Sequence, residues 1–217
     1  MKINFFKKIL LKLVKPKFFY PRKFLISKAS VLDIGLDNNS YNEFKLAFPT
    51  CSYVGVDFID NNQELKSGDK FLKLDLEEQS LLTVFDAESF DVIIMNHVIE
   101  HISNGEIVLA DLIKLLRKGG VIYLEFPSIR TTYRSLLKQY HFHDDETHKR
   151  LYDVLVLANI ALDNQCKIIS SGPVSTNLKN ILSFPRACFS IFCTGSLGAD
   201  LIFFQGKIDH LFISKDK

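Results

Sequence analysis

The chain has 217 residues, of which 47% are hydrophobic and 24% charged, and its net charge is +2. That size suits one α/β domain with a buried core and argues against two full domains, and the composition is that of an ordinary globular protein rather than a disordered one. No stretch reaches the ~18–20 uninterrupted apolar residues that cross a bilayer.

Residues 1–28 carry Lys2, Lys7, Lys8, Lys12, Lys15, Lys17, Arg22, Lys23 and Lys28 and no acid, so the remaining chain is net acidic. Within this arm Ile3, Phe6, Ile9, Leu10, Leu13 and Val14 recur at helical spacing, opposite the lysines, until Pro16 ends the helix. A basic amphipathic helix suits peripheral contact with an anionic membrane, on its inner face for a cytoplasmic protein. The plain alternative is a helix packed on its own domain. Lysines 7, 8 and 12 interrupt the apolar run and no small-residue cleavage site follows, so the segment reads as retained rather than as a signal peptide. Residues 17–28 form a Pro-broken aromatic connector.

From Ser30 strand and helix alternate. Ser30–Gly35 is a short buried strand ending on glycine, a polar turn follows, and Tyr41–Phe48 is helical. Ser52–Phe58 is a second strand with Asp57 at its carboxyl end. That spacing suits an acidic side chain accepting both hydroxyls of a ribose. Lys70–Leu76 is a third strand ending near Asp75, and Phe90–Val98 a fourth, whose continuous apolar run fits a strand covered on both faces. Ile99–Ile102 and Ile107–Leu116 supply helix, stopped by Arg117-Lys118-Gly119-Gly120. Val121–Phe126 is a fifth strand, cut by Pro127. A polar insertion, 128–150, leads to a helix from about Tyr152 to Leu162, a strand at Lys167–Ser171, an apolar helix at Asn177–Cys193 and a last strand at His210–Ser214. Such alternation predicts an α/β fold with a parallel-dominated sheet and helices on both faces. Cys51, Cys166, Cys188 and Cys193 form no C-x-x-C pair and read as buried free thiols in a reducing cytoplasm.

Four blocks stand in a telling order: V-L-D-I-G (31–35), Y-V-G-V-D (53–57), F-D-V-I-I-M-N-H-V-I-E-H-I (90–102) and L-L-R-K-G-G-V-I-Y-L-E-F-P (115–127). Together they resemble class I S-adenosylmethionine-dependent methyltransferases over residues 29–172. The H-D-D-E-T-H-K-R-L-Y stretch (143–152) is similar to bacterial members associated with cell-envelope polysaccharide pathways such as lipopolysaccharide biosynthesis. The resemblance implies a Rossmann-like three-layer sandwich, with a mostly parallel seven-stranded sheet in a domain of residues 29–217. That domain would follow the basic arm (1–28) and include a helical excursion (173–209).

It also implies S-adenosyl-L-methionine as cofactor. Asp33 and Gly35 would border its methionine part, with Asp37 in the adjoining turn. Asp57 would hold the ribose, Phe58 would cover the adenine, Asp75 and Leu76 would meet it, and Asn96 with His97 would line the methionine and acceptor side. One departure matters. The family's D-x-G-x-G-x-G turn is here Gly35-Leu36-Asp37-Asn38-Asn39, so Asp37 and Asn39 replace two glycines. Both residue types tolerate left-handed backbone, which would let the turn survive, while their side chains crowd the cofactor.

The implied reaction is O-methylation of a sugar, glycolipid or other small acceptor, with His97 or His148 as general base. The alternative is a catalytically inactive binding or scaffold protein with weakened cofactor binding. A nicotinamide oxidoreductase would need a G-x-G-x-x-G turn that is missing, and no aromatic-proline tetrad for methylating nucleobases follows strand four, so no nucleic-acid partner is expected. The H-F-H-D-D-E-T-H segment (141–148) invites a metal reading. Capping of the next helix by Asp145 or Thr147 explains it equally, and no metal ligand is assigned. The acceptor and the oligomeric state stay open.

Overall fold

The computed structural model describes residues 2–36, 39–60, 65–132, 141–174 and 208–216. Among these, α1 (Lys2–Val14) and α2 (Pro16–Phe19) open the chain, with Pro16 at the first helical position, where its missing N–H is harmless. The alternation then runs β1 (Ser30–Ile34), α3 (Ser40–Ala47), β2 (Ser52–Asp57), β3 (Lys70–Lys73), β4 (Phe90–Asn96), α4 (Gly105–Leu115), β5 (Leu116–Pro127), α5 (Val154–Asp163), β6 (Cys166–Pro173) and β7 (Ile208–Lys215). All seven predicted strands are present, in one sheet of order β3-β2-β1-β4-β5-β7-β6. β1 to β5 pair in parallel, and β7 runs antiparallel between β5 and β6.

Alternate residues of each strand feed two cores, as the period of two requires. Leu32, Ile34, Ile93, Met95, Ile122 and Leu124 pack with Leu109, Leu112 and Leu157 of α4 and α5. Val31, Val92, Ile94, Val121 and Tyr123 face the other way, against Leu11, Phe18, Leu25 and Phe44 from the N-terminal helices and α3. Phe18 is fully buried, edge-on to Phe44 and Phe48, which contributes about 1.5–3 kcal/mol. The connector at 17–28 is thus part of the packed domain. On α1, Leu11 is buried and Lys12 lies over the Phe48 ring, while Ile9, Leu10 and Leu13 are exposed.

Several predicted boundaries shift, each for a local reason. β2 and β4 stop at Asp57 and Asn96. The cause at β4 is His97, whose φ of +52° turns the chain out of the sheet. β3 ends at Lys73, leaving Asp75 in a turn where its Oδ1 accepts from the Glu77 amide. Ile99–His101 forms a single 3-10 turn, and the helix begins at Gly105. The cation-glycine run ends α4 as expected but already belongs to β5, whose pairing with β4 shifts register between Phe90 and Val92. Neither Asp145 nor Thr147 caps α5. Asp153 does, accepting from the Leu155 amide, while Asp145 accepts from Thr147 instead. Cys51 and Cys166 are free and buried. The predicted helix at 177–193, Cys188 and Cys193 lie outside the described residues. No helix among the described residues is long and apolar enough to cross a membrane.

Candidate cofactor and active site

The chain leaves β1 toward one edge, through β2 and β3, and then returns to place β4 on the other side of β1. Ligands of such sheets sit outside the carboxyl ends of the strands at this reversal. A cavity of about 850 Å³ opens there, lined by Gly35, Asp57, Phe58, Asp75, Leu76, Asn96 and His97. Seven of the ten predicted site residues therefore share one wall.

Gly35 turns the chain at φ +77°. A Cβ there would lie 2.1 Å from Val98 Cγ2, so the glycine lets the β1 exit cross the loop after β4. The next amide, Leu36 N–H, donates to Asp57 Oδ2 at 2.7 Å, and Ile59 N–H donates to Oδ1 at 3.0 Å. Two backbone amides thus fix the Asp57 carboxylate at the strand end, and each oxygen keeps a lone pair for a hydroxyl. Phe58, 65% exposed, stands beside it at the cavity rim, and Val56, Leu74 and Leu76 complete an apolar slot. Asn39, one of the two glycine replacements, has φ −123°, so the turn needs no left-handed residue there.

Three predicted residues are not on this wall. Asp33 points to the opposite core, where its Oδ2 accepts from Tyr53 Oη at 2.8 Å, because β1 alternates and only its neighbours Ile34 and Gly35 face the cavity end. Asp37 lies outside the described residues. His148 is only 3% exposed at its side chain, and its Nδ1–H donates to the Phe142 carbonyl at 2.6 Å. Its neighbours Thr147 and Lys149 line the cavity in its place.

His97 also departs from expectation. Its Nδ1 lies 3.2 Å from Glu100 Oε1 and its Nε2 3.5 Å from Glu125 Oε1. Burial alone would lower its pKa, but hydrogen bonds and charge from these two carboxylates outweigh that and raise it from 6.5 to about 9. Near neutral pH it is an imidazolium that donates, so the role of proton acceptor does not suit it.

Sequence reasoning passed over Glu125, buried near the end of β5, which accepts from Tyr123 Oη at 2.8 Å and from Asn96 Nδ2 at 3.4 Å. A single acid in the apolar run V-I-Y-L-E-F was the available signal. It also passed over Lys17, a buried lysine on the cavity wall whose Nζ donates to Ser40 Oγ at 2.7 Å. Lys15, on the same wall, pairs with Glu43.

The residues present fit S-adenosylmethionine. Asn96, on the cavity lining, has a buried acceptor Oδ1 with no partner among the described residues, matched to an ammonium donor. The Asp57 carboxylate matches a diol, and the slot around Leu74, Leu76 and Phe58 matches a planar base. The Lys17 ammonium places a positive charge on the cavity lining, which suits a carboxylate.

The sequence matches the family model described as "Methyltransferase domain" over residues 6–171. A search of curated proteins finds no match. Among solved structures, a SAM-dependent methyltransferase from Archaeoglobus fulgidus superposes with a TM-score of 0.64 at 18% identity, covering 94% of each chain. An S-adenosylmethionine-dependent methyltransferase from Mesorhizobium loti gives 0.68 at 10% identity, covering 93% of this chain and 99% of that one. Phosphoethanolamine N-methyltransferase 2 of Haemonchus contortus, in complex with S-adenosyl-L-methionine, gives 0.62 at 13% identity over 93% of this chain and 52% of its own.

Proposed function

The chain belongs to the methyltransferase-domain family, and on that premise we propose that it methylates oxygen on a sugar, glycolipid or other small hydroxylated acceptor. It is an S-adenosylmethionine-dependent methyltransferase. When bound, that cofactor supplies an electrophilic methyl carbon on a sulfonium, so the protein's task is chiefly to hold two reactants in line. Asp57 would hold the ribose, Phe58, Asp75 and Leu76 the adenine, Asn96 and Lys17 the amino-acid end.

The observation that carries the acceptor class is the set of polar side chains in the cavity beyond those matched to the cofactor. His97, His101, Glu125, Thr147 and Lys149 all line the cavity. A hydroxyl-rich acceptor satisfies such groups, and a hydrocarbon would leave them desolvated and unpaired. The similarity of residues 143–152 to polysaccharide-associated members supports a cell-envelope acceptor. The test is transfer of labelled methyl from S-adenosylmethionine to saccharide and glycolipid acceptors. An alkali-stable methyl ether is expected, and methyl amine or ester as the dominant product would refute the assignment.

The exposed Ile9, Leu10 and Leu13, set among Lys7, Lys8 and Lys12, further support a cytoplasmic enzyme resting on the inner membrane face. Sedimentation with anionic vesicles checks this. Replacing all three apolar residues by serine is expected to abolish it, and undiminished sedimentation of that variant would end the idea.

A further inference from the structure

We propose that Glu100, His101 and His148 form a binding site for a divalent first-row transition ion, Zn²⁺ or Mn²⁺, on the acceptor side of the cavity. The three residues come from two distant segments. The amides of Lys149 and Arg150 both donate to the Glu100 carbonyl, at 2.9 and 3.1 Å, which staples the segment after Asp145 onto the 3-10 turn after β4. One ligating atom from each side chain then lies within 4.8 Å of the others. A tetrahedral ion with bonds of ~2.0–2.2 Å keeps its ligands roughly 3.3–3.6 Å apart, so small side-chain rotations close the set.

Two independent features point to a cation. The first is Glu100, whose side chain is only 2% exposed. Its Oε1 is held by His97, but Oε2 is buried with no partner among the described residues. A buried oxygen left without a partner costs about 1–3 kcal/mol, which a cation or a donor would relieve. The second is the orientation of the imidazoles. His101 Nδ1 lies 3.1 Å from the Thr147 carbonyl, and His148 Nδ1 lies 2.6 Å from the Phe142 carbonyl. A carbonyl only accepts, so each ring keeps a proton on Nδ1, which leaves Nε2 as the nitrogen for a metal. Hydrogen bonding of the remote nitrogen in this way is how proteins orient histidines that bind metals. Asp145 Oδ2, 3.7 Å from His148 Nε2, adds negative charge beside that ring. Two imidazoles and one carboxylate suit Zn²⁺, Mn²⁺ or Fe²⁺ rather than Ca²⁺ or Mg²⁺.

His101 and Thr147 line the cavity, so an open coordination position would meet an acceptor oxygen. This placement rests on the methyltransferase reading, whereas occupancy of the site does not.

The test strips the full chain with EDTA and titrates it with Zn²⁺, Mn²⁺ and Co²⁺, without cofactor. One ion per chain is expected, with Co²⁺ giving visible ligand-field bands. His101→Gln and His148→Gln should each weaken binding at least tenfold, and His143→Gln, an exposed histidine of the same insertion, should not. A measurement independent of variant folding is histidine modification with diethyl pyrocarbonate. Zn²⁺ should protect His101 but not His143. Substoichiometric binding by the wild type, or equal modification with and without Zn²⁺, overturns the proposal. Calorimetry with S-adenosylhomocysteine in EDTA separately reports whether the cofactor reading holds.

Discussion

Replacing Gly35 by alanine tests the geometry on which the cofactor cavity depends. The added Cβ would sit 2.1 Å from Val98 Cγ2, well inside an ordinary carbon contact of ~3.5–4.0 Å, so strand exit and loop must separate by more than an ångström. Overpacking of this kind costs about 1–3 kcal/mol. The φ of +77° adds about 1–2 kcal/mol for a residue with a Cβ. Together the loss is about 2–5 kcal/mol. For a chain of this size that lowers the melting midpoint by roughly 4–20 °C. A second substitution separates the two causes. In a Val98→Ala background the nearest atoms to the new Cβ are Val98 Cβ and Asn96 O, both at 3.6 Å, so only the backbone part remains. Urea unfolding of the four proteins in this double-mutant cycle should give a coupling energy of about 1–3 kcal/mol. Gly35→Ala should also weaken S-adenosylhomocysteine binding, because Leu36 N–H is positioned against Asp57 by the same turn. A coupling below about 0.5 kcal/mol would show that Gly35 is not there to let β1 and the loop after β4 cross, and the reasoning would fail.

Four other outcomes are expected. Asp57→Asn removes the charge that two hydroxyls would meet and should weaken S-adenosylhomocysteine binding by calorimetry about 10–100-fold, at 1.5–3 kcal/mol per charge-assisted contact set. Lys17→Met keeps the buried stem but removes the ammonium, so S-adenosylhomocysteine should bind more weakly while adenosine, which lacks a carboxylate, binds unchanged. Tyr152→Phe orphans the Gly105 N–H and the Ile102 carbonyl that the hydroxyl joins across the turn before α4, and should destabilise by about 2–4 kcal/mol in urea unfolding. His210 is buried against Tyr20, and burial holds its pKa below 6.5. The unfolded chain therefore binds the extra proton, so this group's contribution is complete above pH 6.5 and is lost as pH falls through that value toward the folded pKa. His210→Gln should flatten the pH 5–7 stability slope relative to wild type, and parallel curves would exclude the mechanism.

Legibility of the site followed from what each residue's function demands. Gly35 and Asp57 sit at strand ends, where the period-two pattern and a following turn mark both the element and its exit, so their convergence could be read from spacing, whereas Asn96 was implied by the family resemblance. Asp33 misled because it lies one residue before the strand end, and a shift of one residue sends a side chain to the opposite face. His97 was legible in position and not in charge, since its protonation is set by Glu100 and Glu125. These two acids lie three and 28 positions away and reach it only through a 3-10 turn and the pairing of β4 with β5.

The sequence by itself determined the layered α/β architecture, the seven strands and the end of the sheet where the ligand sits, because hydrophobic periodicity and turn chemistry act over a few neighbouring residues. Only the tertiary structure decided which side chains share an environment. It buried Lys17 of the N-terminal arm in the cavity wall, moved His148 behind it, and brought Glu100 and His101 against His148 from across the insertion. Charge, tautomer and ligand sets depend on distance through space, and that distance is fixed by packing between segments far apart in the chain.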